Sequence, residues 1–215
     1  KMAKVLVFGE ANKSQLKKGT LELLTAAQNS GSEISVALLG SDSASAAPQL
    51  ATYGVKEVFI CKSDQLKNYN HEYYSRLIVD VVNQSKPELI LASSSALARD
   101  LFPRVAAKLH AGIVSDCTEL HINGSEVTVS KPFYAGKCTA QMAFKNSPIK
   151  IVLMRPNQLP VQEGTAGGTP EVKEIPLPQI DLRVIVKDVV KGASEKLDLT
   201  EANIIVSGGR GMKGP

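Results

Sequence analysis

The alternation of short apolar runs with helix-periodic segments, from Val5 to Leu109, constrains the fold of this chain more than any other feature. Val5-Leu6-Val7-Phe8 is a continuous apolar run with charge on one side and Gly9 on the other. Such a run reads as a strand buried on both faces. Leu16, Leu23, Leu24 and Ala27 then recur at helical spacing, and Gly31 follows as a C-terminal stop signal. The same order of signals repeats. Ile34–Leu39 is the next strand and ends at Gly40, a helix over Ala44–Tyr53 closes at Gly54, and Glu57–Cys61 is a third strand. Tyr73–Gln84 predicts a helix with Leu77, Ile78, Val81 and Val82 on one face. Leu89–Ala92 predicts a fourth strand and Ala98–Leu109 a further helix. Strands separated by helices pair in parallel and carry helices on both sheet faces. The expected class is therefore α/β, a doubly wound, mostly parallel, Rossmann-like sheet.

The alternation stops after Leu109. Thr118–Ile122, Val127–Ser130, Cys138–Phe144 and Ile149–Met154 read as strands with no helix between them, and Asn123-Gly124 is a tight hairpin signal between the first two. They predict an antiparallel extension of the parallel sheet. From Pro156 to Pro178 prolines and glycines interleave, as expected of an irregular connection leaving the first domain. Leu182–Val186 reads as a last strand packing back. Asp198–Ala202 then leads to Ile204-Ile205-Val206, a β-branched run that predicts a buried strand. This division makes residues 1–191 one α/β domain, connection 156–180 included. Residues 192–215 are a hinge with the first strand and glycine-rich turn of a second, incomplete α/β domain. Lys1 ahead of Met2 reads as a remnant before a native start.

The chain has 215 residues, 25 Lys and Arg against 21 Asp and Glu, and no Trp. That mild basicity, with only 5% aromatic residues, argues against a nucleic-acid surface, where aromatics interleave with cations. No apolar run reaches the roughly 20 residues needed to span a bilayer. Cys61, Cys117 and Cys138 are far apart and His71, His110 and His121 are scattered, so no metal-ligand spacing exists. The cysteines read as small buried hydrophobes in a reducing compartment, either a bacterial cytoplasm or a mitochondrial matrix.

Two places carry candidate chemistry. The first is the crevice at the carboxyl ends of the strands, where open α/β sheets bind ligands. Gly9-Glu10-Ala11-Asn12 and Ser93-Ser94-Ser95 would line it. The serines either cap a helix or help its N-terminus hold a phosphate. No Walker lysine and no G-x-G-x-x-G is present, so capping is the simpler reading. Arg99-Asp100 opens the same helix, and its simplest role is an exposed first turn with Asp100 matched to the helix dipole. The second place is Ser207-Gly208-Gly209-Arg210-Gly211, directly after the predicted terminal strand. Glycines there permit close backbone approach or φ > 0, and a lone guanidinium suits an anion or a flavin. The alternative is a solvated loop with an incidental Arg. Lys131–Lys137 reads as a turn between antiparallel strands, structural or in contact with a partner chain.

Several segments together resemble one family. Val206-Ser-Gly-Gly-Arg-Gly-Met-Lys213 resembles the opening of the FAD domain in the α subunit of electron-transfer flavoproteins. Ala98–Glu119 is similar to that family's long helix-and-strand segment. Lys131-Pro-Phe-Tyr-Ala-Gly-Lys137 matches a family stretch that usually begins with Arg, and Met154-Arg-Pro-Asn157 matches the strand end leaving the domain. The resemblance spans essentially the whole chain. It implies a heterodimer with a similarly folded β subunit and an FAD-holding C-terminal domain in α. It implies an electron shuttle, not an enzyme acting on a metabolite. Electrons would pass from flavin dehydrogenases, such as the acyl-CoA dehydrogenases of fatty acid β-oxidation, to a quinone reductase or other acceptor. AMP, where the family has it, would sit in β. Carried over by position, Arg210 would contact FAD, framed by Ser207, Gly208, Gly209 and Gly211. The other flavin-binding loops are expected beyond Pro215, so residues 1–215 alone are not expected to hold FAD. A stand-alone nucleotide-binding module and the α subunit of an electron-bifurcating flavoprotein are the alternatives.

Overall fold

The structure is a computed structural model that describes residues 3–12, 14–40, 43–162, 164, 168–188 and 204–213. Its centre is a seven-stranded sheet. The strands, in chain order, are β1 (Lys4–Gly9), β4 (Glu33–Leu39), β5 (Val55–Cys61), β6 (Leu89–Ser93), β7 (Gly112–Cys117), β11 (Lys150–Met154) and β12 (Glu171–Glu174). Their order across the sheet is β12-β5-β4-β1-β6-β11-β7, and every pairing is parallel. The chain moves from β1 outward through β4 to β5, then returns to β6 on the other side of β1. The strand order therefore reverses between β1 and β6.

Strand periodicity divides the core into two layers. Val5 and Val7 of β1 face one side, and Leu6 and Phe8 face the other. The first side is covered by α1 (Lys18–Asn29), which contributes Leu23, Leu24 and Ala27. The second is covered by α2 (His71–Ser85) and α3 (Ala96–Leu109), which contribute Leu77, Ile78, Val81, Leu101, Phe102 and Val105. Phe8 meets Phe102 edge-on, with ring centroids 5.4 Å apart. Asn70 caps α2 by accepting from the Glu72 and Tyr73 N–H groups, which satisfies donors the helix itself cannot. Gly31 takes φ of 67° just past α1, as a helix stop requires.

Six expectations need correction. The antiparallel strands do not extend the main sheet. β8 (Glu119–Asn123), β9 (Glu126–Phe133) and β10 (Cys138–Ala143) form their own three-stranded sheet. Val127 and Val129 of β9 pack it onto the α1 side of the core. The last strand expected in that extension, Ile149–Met154, instead enters the main sheet as β11, parallel between β6 and β7. The stretch from Pro156 to Pro178 is not wholly irregular: Glu171–Glu174 returns as edge strand β12 beside β5. Its Glu, Lys and Glu side chains suit an edge, where charge blocks further pairing. Ala44–Tyr53 is not an α-helix but a 3-10 segment over Ser43–Leu50, with Pro48 inside it removing an α-helical donor.

Leu182–Val186 forms no strand. It is tied across the start of α2, where the Glu72 carboxylate accepts from the Arg183 and Val184 N–H groups at 2.9 and 3.1 Å. Asn70 Nδ2 donates to the Val184 carbonyl. Ile204–Val206 is not buried either. Ile204 is 85% and Val206 94% exposed, and neither belongs to a strand. A β-branched run becomes a strand only beside a neighbour that completes its ladder, and no described strand lies alongside this one. Asp198–Ala202 and the boundary near Gly192 lie outside the described residues.

Candidate functional site

The crevice expected at the carboxyl ends of the strands is present where the strand order reverses. It is a cleft of about 500 Å³ lined by Glu10 after β1, Ser93–Ala96 and Arg99 at the β6–α3 junction, Pro156–Asn157 after β11, and Lys17–Thr20 at the start of α1. Of the four residues expected from the first strand, only Glu10 lines it. Gly9 is packed against Leu38, and Ala11–Asn12 (β2) turns away to pair with Gln15–Leu16 (β3).

Glu10 is held from several directions. Its N–H donates to Thr20 Oγ1 at 3.0 Å, Ser95 Oγ donates to its Oε1 at 2.6 Å, and Lys17 Nζ lies 3.3 Å from its Oε2. Ser95 Oγ also accepts from the Ala98 N–H at 3.1 Å, so Ser95 is the cap of α3. The capping reading of the serines is borne out for Ser95. Ser93 is different: it is only 8% exposed, lines the cleft, and its hydroxyl has no hydrogen-bond partner among the described residues. Gly19 is placed against it, since a Cβ there would meet Ser93 Oγ at 2.7 Å.

Arg99 is exposed at the cleft rim, whereas Asp100 faces elsewhere. Asp100 accepts from Tyr69 Oη at 2.7 Å and pairs with Arg104 at 3.0 Å, and both bonds hold its carboxyl below the usual range. Asp100 therefore ties α3 to Tyr69, in the segment that leads into α2, rather than matching the helix dipole. The helix begins at Ala96, which already places Asp100 beyond the first turn.

The exit from β11 is also fixed. Glu22, 1% exposed on α1, accepts the Asn157 N–H at 3.0 Å and the Leu159 N–H at 3.4 Å. Thr25 Oγ1 accepts the Gln162 N–H at 3.1 Å. Arg155 makes two bonds to Asp116, at 2.9 and 2.8 Å, and the Arg155 guanidinium holds that carboxyl below its ordinary range. Of the expected turn Lys131–Lys137, Lys131–Phe133 is instead the end of β9, and Tyr134–Lys137 is the turn that joins it to β10, with Tyr134, Ala135 and Gly136 at positive φ and Tyr134 80% exposed.

Cys61 and Cys117 are buried as expected, but Cys138 is exposed at the start of β10, whose side chains mostly face outward. Burial pushes the Cys117 thiol up to about 11. Among the described residues, no group of His, Cys, Asp and Glu could hold a metal, and no helix is long and apolar enough to cross a membrane.

The terminal turn has none of the cleft's walls. Ser207, Gly208, Gly209, Arg210 and Gly211 are all exposed. Arg210–Met212 forms a single 3-10 turn closed by the Met212 N–H to the Gly209 carbonyl at 3.1 Å. The glycines here do not use positive φ; Lys213 does, at 54°. Gly209 and Gly211 have nothing within 4 Å of where a Cβ would stand. Exposed backbone donors beside one guanidinium fit an anionic group, so the donor chemistry suits the pyrophosphate or the reduced ring of a flavin.

The fold and cleft define a doubly wound α/β domain of the kind that presents ligands at a strand-order reversal. Residues 5–180 match the family described as electron transfer flavoprotein domain. The electron transfer flavoprotein subunit alpha of Bacillus subtilis is 31% identical over 98% of this chain and 65% of its own length. That of Syntrophomonas wolfei is 30% identical over 100% of this chain and 67% of its own length. The probable mitochondrial alpha subunit of Caenorhabditis elegans is 33% identical over 97% of this chain and 61% of its own length. The chain belongs to the electron transfer flavoprotein family, and it corresponds to the N-terminal domain of the alpha subunit. It spans about two thirds of the length of these relatives.

Proposed function

We propose that this chain is the structural and partner-binding part of an α subunit that carries electrons through FAD in a heterodimer with a β subunit. The observation that carries the reading is the relatives' alignment, which in one case takes in 100% of the chain and so includes the exposed glycine–arginine turn. That turn has the donor set of a cofactor contact but no wall of its own, as a fragment of a larger site would. In the intact protein Arg210 contacts the flavin, with Ser207, Gly208, Gly209 and Gly211 giving close backbone approach. Bound FAD supplies the redox chemistry. A guanidinium near the ring would stabilise negative charge and raise the potential, and one at the pyrophosphate would anchor the cofactor.

In this reading electrons arrive from flavin dehydrogenases, such as acyl-CoA dehydrogenases, and leave to a quinone reductase or other acceptor. The protein makes no bond on a metabolite. AMP belongs to the β subunit, and the compartment is a bacterial cytoplasm or a mitochondrial matrix. The test is the intact heterodimer. It is expected to be yellow, and Arg210→Ala is expected to weaken FAD retention or shift its potential; unchanged values for both would remove Arg210 from the site. Counting flavins per heterodimer separates a simple carrier from an electron-bifurcating relative, whose β subunit would hold a second one.

A further inference from the structure

The Ser93 cleft is separate from the terminal turn, none of whose residues lines it. We infer that it is a binding site for the phosphate group of a small phosphorylated ligand.

Three features of this one place support that inference. The first is convergence. Two helices, α1 and α3, begin at the cleft, and first-turn N–H groups have no acceptor within their own helix. No side chain caps α1, and Ser95 satisfies only the Ala98 N–H of α3. The N–H groups of Lys18, Gly19, Ala96 and Leu97 are thus left at the cleft, with the positive ends of both helix dipoles.

The second is Ser93. The Ser93 hydroxyl opens onto the cleft rather than being sealed in the core, since no sealed side-chain oxygen or nitrogen among the described residues lacks a partner. Ser93 is nine-tenths buried and its hydroxyl meets no acceptor or donor among the described residues, although it lines a cleft that a ligand oxygen could enter. Gly19 sustains the arrangement. A side chain there would strike Ser93 Oγ at 2.7 Å, whereas glycine lets the first turn of α1 approach it.

The third is charge. Lys17, Lys18 and Arg99 line the cleft against one carboxylate, Glu10. Glu10 is already compensated by Lys17 at 3.3 Å and by the Ser95 hydroxyl. Lys18 and Arg99 make no ion pair among the described residues, so the free balance at the mouth is positive. Donors from two helix starts, an unpaired hydroxyl and two unpaired cations match a phosphate dianion, which has acceptors on every side. The cleft volume of about 500 Å³ is several times that of a phosphate group, and leaves space for an organic part of nucleotide size.

The inference does not rest on the flavin reading, and its readout does not involve flavin. The test uses the full-length protein, isotope-labelled at glycine and leucine, and follows the Gly19 and Leu97 amide resonances during titration. Inorganic phosphate, AMP and adenosine are added separately. Phosphate and AMP are both expected to shift these amides to saturation, and adenosine to leave them in place. Equal affinities would make the free anion the occupant, and tighter AMP would make it a phosphomonoester with its organic part in the cleft. The exposed substitutions Lys18→Glu and Arg99→Glu are each expected to weaken phosphate binding by about tenfold, as loss of a charge-assisted contact does. Ser93→Ala should weaken it severalfold. No shift with either phosphate or AMP overturns the proposal. So does a shift that survives Lys18→Glu and Arg99→Glu unchanged, or one that adenosine alone produces.

Discussion

The Ser93 cleft and the Ser207–Gly211 turn use the same chemical vocabulary in opposite surroundings. Each brings a hydroxyl, a glycine and an arginine together. In the cleft these groups come from β1, β6, β11 and two helix starts, and they are walled by a core in which Val5, Leu6, Val7 and Leu91 are essentially inaccessible. In the terminal turn they come from one stretch of chain with exposed neighbours throughout. A motif supplies donors; a site needs several elements converging on them. The cleft is assembled within this domain, whereas the turn has the donors but no assembled wall.

The comparison can be broken by stability. The largest effect is expected at Glu22, where the domain clamps the exit from β11. Glu22→Ala leaves two part-buried backbone N–H groups without their acceptor and should destabilise the domain by roughly 2–3 kcal/mol. Val206→Ala, in the exposed terminal run, should change stability by less than about 0.5 kcal/mol. Denaturant titration of both variants checks this, and a large effect at Val206 would mean the terminal run packs against something. Next in size is Ser95→Ala, which removes the cap of α3 and the bond to Glu10, and should cost about 1–2 kcal/mol.

Smaller effects sharpen the picture through pH and reactivity. Asp116 has a folded pKa depressed by Arg155. The stability it contributes is present above the unfolded carboxylate pKa and is lost as pH falls through the folded one. Asp116→Asn should therefore flatten the acid limb of a stability–pH profile. The effect should be small, because the pair is partly exposed and screened. Cys117 has the opposite sign. Its thiol is raised to about 11, so its contribution is present below the unfolded thiol pKa and fades as pH climbs towards 11. Thiol labelling at neutral pH should accordingly modify Cys138 first and spare Cys61 and Cys117.

Local pattern made much of this molecule readable. The apolar runs at Val5–Phe8, Ile34–Leu39, Glu57–Cys61 and Leu89–Ala92 are strands within a residue or two of their predicted limits. The helices at Tyr73–Gln84 and Ala98–Leu109 are also where periodicity places them. What failed depends on distant partners. Ile149–Met154 has the pattern of a strand, but only its pairing with β6 and β7 makes it parallel and central. Glu171–Glu174 has no apolar pattern and becomes β12 through β5 and the Lys173–Glu57 pair. Gly112–Cys117 mixes Gly, Ser and Asp with its apolar residues and gave no strand signal.

The cleft was legible in part for the same reason. Glu10 and the serines follow strands that pattern identifies, so the crevice could be located. Lys17–Thr20 and Pro156–Asn157 enter it only because α1 and β11 fold against those strands. Residue types alone did not separate Ser93 from Ser95. Ser95 points back to the Ala98 N–H and Ser93 remains unpaired, a difference that exists only in three dimensions.

The central claim is that the exposed terminal turn is one piece of a flavin site completed in the intact protein. The most direct measurement is the flavin content and reduction potential of the intact α–β heterodimer, with native Arg210 and with Arg210→Ala. The account predicts a flavin spectrum in the native protein, and for the variant either about tenfold weaker retention or a displaced potential. A native heterodimer without flavin, or a variant with the native content and potential, would contradict it.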